Sequence, residues 1–185
     1  MKQFKMLLVL LVAIATVFIQ TTAQAGTATE IDKKVAAALE NLYAGNPVAR
    51  ELAKTAKGIL VFPDVVKAGL VLGGQYGEGA LLVNGKTTGY YNTVAASYGL
   101  QAGAQGFGYA MFLMNDEATK YLGKSDGWEV GVGPTVVVMD EGLAKSFTTT
   151  TAKDDIYAFI FDQKGLMAGI GIQGSKISKI NPDKK

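Results

Sequence analysis

The sequence predicts an α+β domain: two N-terminal helices packed on a curled, Gly-rich antiparallel β-sheet or barrel-like sandwich, with one short helix inserted among the strands. Three observations lead there. Apolar residues recur at helical spacing as far as about Lys57, and from Ile59 the period drops to two. All 23 glycines lie beyond residue 25, about twice the usual share for a globular chain. Glycines inside strands mark bulges, coiling or close backbone approach, which favours a tightly curled sheet over a flat one.

Residues 1–25 are expected to be a cleaved secretory signal rather than part of the fold. Lys2 and Lys5 form a basic start, and Met6 to Ile19 is apolar apart from Thr16. Ala23-Gln24-Ala25 supplies the small-residue cleavage pattern. A membrane-spanning helix needs about 20 apolar residues, more than this run offers. The expected product is a single domain, residues 26–185, located in the periplasm or secreted. No Cys stands at the cleavage point to take a lipid anchor.

The formal net charge of +2 belongs to Lys2 and Lys5, since that segment holds no acid. Residues 26–185 are therefore neutral overall, which argues against nucleic acid as a partner. The chain has no His and no Cys. That excludes a Ser-His triad, a Cys nucleophile, the usual nitrogen or sulfur zinc site and a disulfide framework. The reading is non-enzymatic, with no catalytic residue, metal site or cofactor assigned. With 49% hydrophobic and 18% charged residues, the chain has the composition of a folded domain.

Taken in order, Thr27-x-x-Glu30 reads as a capping box, and Ile31, Val35, Ala38, Leu39 and Leu42 form the buried stripe of the first helix. Gly45-Asn46-Pro47 stops that helix and starts a second, expected to run to about Lys57 with Gly58 as its cap. Ala80 to Tyr91 is a hairpin turning at Asn84-Gly85. Thr93 to Gln105 alternates: Val94, Ala96, Tyr98, Leu100, Ala102 and Ala104 share an apolar face, and the other face is small or amide-bearing. Asn115 caps a short helix ending at Gly123. Thr135 to Met139 and Ile156 to Phe161 are apolar runs expected to be covered on both sides. A turn at Asp162 to Gly165 is expected to return the chain through Leu166 to Ile172.

Several motifs dissolve on inspection. Ala80 to Thr87 fits a loose phosphate-loop pattern, but that chemistry needs a glycine loop opening a helix, and a hairpin stands here instead. Gly169-x-Gly171-x-x-Gly174 lies too near the C-terminus for a dinucleotide fold. Asp140-Glu141 and Asp154-Asp155 lack metal-loop spacing and read as solvated turn acids. Trp128 reads as a core or capping aromatic rather than a membrane anchor.

One feature resists the bland reading. At about 100° per residue, Arg50, Lys54 and Lys57 fall within about 60° of one another, opposite Val48, Leu52 and Ala56. Like charges so placed repel, and an anionic partner would relieve that repulsion. Lys33, Lys34 and Lys67 are expected to extend the patch.

The chain strongly resembles the SYLF domain family. The words that carry the resemblance are Ala56-Lys57-Gly58-Ile59, Val61-Phe62-Pro63, Val66-Lys67-Ala68-Gly69, Gly77-Glu78-Gly79 and Gly89-Tyr90-Tyr91. Ser125-Asp126-Gly127-Trp128, Asp154 to Phe159, Lys164 to Gly169 and Gly174-Ser175-Lys176-Ile177 complete them. The resemblance implies a lipid-binding module for anionic phospholipid, with phosphoinositides among the ligands of eukaryotic members, bound through a basic amphipathic N-terminal segment. By position Lys33 and Lys34 carry over; Arg50, Lys54, Lys57 and Lys67 come from the stripe. Glu30, Asp32 and Glu40 dilute the first helix. Some eukaryotic relatives organise actin, which an exported chain does not meet, so actin is not an expected partner. The alternative is an envelope structural or protein-interaction module using the small-residue face around Gly99 to Gln105. An outer-membrane barrel is disfavoured by the doubly apolar runs and by a C-terminus without an aromatic residue.

Overall fold

The computed structural model describes residues 26–69, 72–98, 103–123, 127–139, 153–165, 172 and 174–183. Residues 1–25, Asp140-Glu141, Leu100, Ala102, Ser125, Asp126 and most of the expected return strand after Gly165 lie outside them.

Helix α1 (Ala28–Gly45) begins on the expected capping box: Thr27 Oγ1 accepts from Glu30 N at 3.3 Å, and Thr27 N donates to Glu30 Oε2 at 2.9 Å. Its five stripe residues are all buried, each contributing about 1.5–3 kcal/mol for the larger aliphatic side chains. Asn46 closes α1 and caps α2 (Pro47–Ala53), its Oδ1 accepting from Ala49 N at 3.0 Å. Helix α2 is shorter than expected. Lys54 N and Thr55 N each bond a carbonyl three residues back at 3.1 Å, and Lys57 N donates to Leu113 O at 2.7 Å. The sheet captures the backbone before another helical turn can form, so Lys57 stands at a strand entry and not on the helix.

The strands are β1 (Gly58–Gly69), β2 (Leu72–Val83), β3 (Lys86–Tyr98), β4 (Gly103–Leu113), β5 (Trp128–Glu129), β6 (Val136–Met139), β7 (Ile156–Gly165) and β8 (Lys176–Ile180), with α3 (Asp116–Leu122) after β4. They form one eight-stranded sheet ordered β5-β8-β3-β2-β1-β4-β7-β6, curled into a half-barrel. The α+β class is as predicted, with a correction: the sheet is mixed, because β6 pairs parallel with β7. Parallel strands cannot be joined by a tight hairpin, and β6 and β7 are well separated in sequence.

The Asn84-Gly85 hairpin forms as expected, with φ of 50° and 73° at the two turn residues. Asp162 to Gly165 does not turn. It continues β7, and Asp162, at φ 51°, sits where the β4–β7 register slips between Gly106 and Gly108. The slip takes up the residues that sequence reading assigned to a turn. A second slip surrounds Pro63, which has no N–H for the ladder. Gly79 faces it, where any Cβ would run into the Val61 carbonyl.

Two apolar layers flank the sheet. Leu60, Phe62, Val65, Phe107, Tyr109, Met111, Ile156 and Ala158 point into the concave side with Leu122 of α3 and Trp128. Val61, Ala80, Ala110, Phe112, Tyr157 and Phe159 point outward beneath α1 and α2. Residues Ile156–Phe159 thus serve both layers, as their continuous apolar run implies. Trp128 is buried and its indole N–H donates to Val132 O at 2.9 Å, the core role expected. The alternation after Thr93 spans two strands, not one. Its apolar face is the outer one: Val94 and Ala96 are exposed, whereas Thr93 and Gln105 are buried inside.

Candidate functional site

The sequence-predicted cations divide between the two sides of the sheet. Lys33, on α1, is exposed and, among the described residues, without an acidic partner. Lys34 reaches down to the sheet and pairs with Asp64 at 2.9 Å, both side chains remaining well exposed. On α2, Arg50 Nη2 donates to the Tyr43 carbonyl at 2.7 Å, tying α2 to the end of α1 without neutralising the guanidinium. Lys54 is held by both oxygens of Glu51, at 2.7 and 2.9 Å. Such exposed pairs are worth about 0.2–1 kcal/mol, so water and salt loosen them readily. Lys57 is exposed at the entry to β1. The stripe is therefore one helical residue, one C-cap residue and one strand-entry residue, with one of the three cations engaged by an acid.

Lys67 does not extend this patch. In register it lies between Gln75 of β2 and Gln105 of β4, so it shares their face. That face is the concave one, two residues beyond buried Val65 and Phe107. The helices cover the opposite face.

Two acids assigned no site role from sequence organise the outer side. Asp32 on α1 accepts from Thr87 Oγ1 at 2.8 Å and from the Tyr90 hydroxyl at 3.0 Å, docking the helix on β3. Burial and this carboxylate raise the Tyr90 pKa. Glu78 accepts from Gly26 N at 2.9 Å and from the Tyr76 hydroxyl at 2.6 Å. Burial first, then the Glu78 hydrogen bond, push the Tyr76 pKa up to about 12. An acid at helical spacing looks like any surface acid in sequence; only the strand passing beneath it shows its role. A cleft of about 580 Å³ lies between Thr87–Tyr90 and Lys179–Asp183.

Beyond the helices the outer face exposes large apolar side chains: Leu72 is 73% exposed, Val66 57%, Tyr76 46% and Val94 45%. A shallow groove of about 490 Å³ runs here between Asp64, Val66, Ala68, Tyr76 and Glu78. Among the described residues no group of three or more acids is placed to hold a metal, and no helix is long and apolar enough to cross a membrane.

A helical layer on a half-barrel, with surface cations, an amide-lined concave row and an exposed apolar groove, defines an α+β binding domain. Residues 94–183 match the family model Ysc84, described as "Las17-binding protein actin regulator". The match is consistent with the SYLF family, the one that the sequence words indicated. It is a family of binding domains. The match begins within β3, so all six cations named above precede it. No curated protein matches the chain.

Proposed function

We propose that the domain binds anionic phospholipid at the membrane surface through the cations of its helical side, Lys33, Lys34, Arg50, Lys54 and Lys57. The observation that carries this reading is the exposure of Lys33, Arg50 and Lys57, with no acid paired to any of them among the described residues. Near an anionic surface each such charge contributes about 1 kcal/mol, and the attraction falls off within a Debye length of about 8–10 Å. Binding of this kind is reversible and salt-sensitive. It needs no cofactor and no reaction. We place it in the periplasm or outside the cell, after removal of residues 1–25.

Co-sedimentation with vesicles of phosphatidylglycerol and phosphatidylcholine tests the reading. Binding should rise with the anionic fraction and fade as salt is added. Arg50→Glu combined with Lys54→Glu should weaken it by more than tenfold. Unchanged binding in that variant would remove the helical side from consideration.

The exposed outer groove supports a second reading, a protein-interaction module of the envelope. Its residues are Val66, Leu72, Tyr76 and Val94; of the expected Gly99 to Gln105 face, residues 99–102 lie outside the described residues and Gln105 is buried. Capture of a defined partner that Tyr76→Glu abolishes, with no vesicle binding, would favour it.

A further inference from the structure

The concave side of the sheet changes character along its length. At one level Thr93, Val65 and Phe107 are fully or almost fully buried, with Gly77 between them in the register. One level further, the row reads Ala95, Gln75, Lys67, Gln105 across β3, β2, β1 and β4. At the next level β2, β1 and β4 contribute Gly73, Gly69 and Gly103, with no side chains. A lysine flanked by two amides thus stands between a packed apolar floor and a glycine-lined rim.

Among the described residues, two groups in that row lack a complement. Gln105 is 5% exposed, and among the described residues its Oε1 accepts no hydrogen bond. Buried acceptors are almost always satisfied, so such an orphan calls for an explanation. Lys67 is half-buried and, among the described residues, forms no ion pair. Gln75, equally buried, turns its amide toward Ser175 Oγ, at 3.4 Å. Residues directly opposite on neighbouring strands stand about 5 Å apart at Cβ. An unpaired ammonium and an unfilled buried acceptor therefore sit side by side.

We infer that this row is a binding site for a small hydroxylated oxyanion, its negative group on Lys67 and its hydroxyl donating to Gln105 Oε1, with a glycerol phosphate group as the simplest ligand of that kind. The inference deepens the lipid reading, since an anionic headgroup carries this chemistry, yet the site lies on the other side of the sheet from the helical cations. A free polyol phosphate has the same chemistry and is the second source.

The test is a titration of the full-length ¹⁵N-labelled protein with glycerol 3-phosphate, inorganic phosphate and glycerol. Glycerol 3-phosphate should shift the signals of Lys67, Gln75 and Gln105 saturably and bind several-fold tighter than phosphate. Lys67→Met, which keeps the apolar stem, should weaken it at least tenfold. Gln105→Leu, which removes the orphaned acceptor without leaving a cavity, should abolish the advantage of glycerol 3-phosphate over phosphate. No saturable shift in the wild type, or Lys67→Met binding unchanged, overturns the inference. Vesicle binding separates it from the proposal above. If vesicles bind through Arg50 and Lys54 while glycerol 3-phosphate does not, the concave site falls and the helical reading stands. If glycerol 3-phosphate binds and vesicles do not, the site stands as one for a free polyol phosphate and the membrane reading falls.

Discussion

The Tyr109 hydroxyl on β4 donates to Thr93 Oγ1 on β3 at 2.8 Å, although β2 and β1 lie between those strands. In a flat sheet three strand spacings amount to about 14 Å, well beyond a tyrosine's reach. The bond closes because the sheet curls. Both residues are fully buried, so this one contact measures the curvature of the concave side. Gly77 on β2 sits opposite Thr93, between it and Val65, keeping the path clear.

Tyr109→Phe should cost about 1–3 kcal/mol by leaving the buried Thr93 hydroxyl without its partner. Adding Thr93→Val should recover most of the loss, since the pair is then replaced by apolar groups. Urea unfolding followed by Trp128 fluorescence reads both. Burial raises the Tyr109 pKa above its ordinary value. The stability this group contributes is full below about pH 10 and is lost as pH climbs through the shifted value. Tyr109→Phe should therefore flatten the alkaline limb of the stability profile.

Asp155 fastens three elements. Its carboxylate accepts from Thr135 N at 2.8 Å, Asn115 Nδ2 at 2.6 Å and Thr135 Oγ1 at 3.0 Å. The Thr135 backbone bond, then the Asn115 and Thr135 side chains, lower its pKa. For a lowered carboxylate, stability is present above the unfolded value of about 3.9 and disappears as pH falls through the folded one. Asp155→Ala should lower Tm at pH 7 by roughly 3–6 °C and blunt the acid loss seen in the wild type. Parallel pH series on the two proteins would expose an unchanged acid limb, which would refute the assignment.

Gly127 holds φ at +79°, and a Cβ there would meet Ser178 Oγ at 2.6 Å and Ile177 O at 2.7 Å. Gly127→Ala should destabilise by about 1–3 kcal/mol and red-shift Trp128 emission as β5 loosens from β8. Gly123, at φ −82°, is the control. Its alanine variant should unfold near the wild-type midpoint.

Glu51→Gln releases Lys54 from its carboxylate and removes one negative charge from the helical side. Under the proposed function, anionic-vesicle affinity should rise about fivefold, the equivalent of the 1 kcal/mol per charge expected at such a surface. The gain should vanish at high salt. A weaker-binding variant would show that Glu51 orients the site and does not oppose it.

The sequence alone determined those features whose causes are local. The capping box at Thr27, the Asn46 cap of α2, the Asn84-Gly85 turn and the cap at Asn115 are each set within four residues, and each stands as read. The α+β class followed from a change of period near residue 58. Tertiary structure decided whatever depended on a neighbour distant in sequence. Pairing with Leu113 ended α2 early and removed Lys57 from the helix. A register slip absorbed Asp162 where a turn was expected. The curl chose which face of β3 to bury, enclosing Thr93 and leaving Val94 in solvent, against the order of hydrophobicity. The same choice carried Lys67 to the concave side beside Gln75 and Gln105. Alternation reports that a strand has two faces, but which one turns inward is fixed only by the strands beside it and by the hand and depth of the sheet's curl.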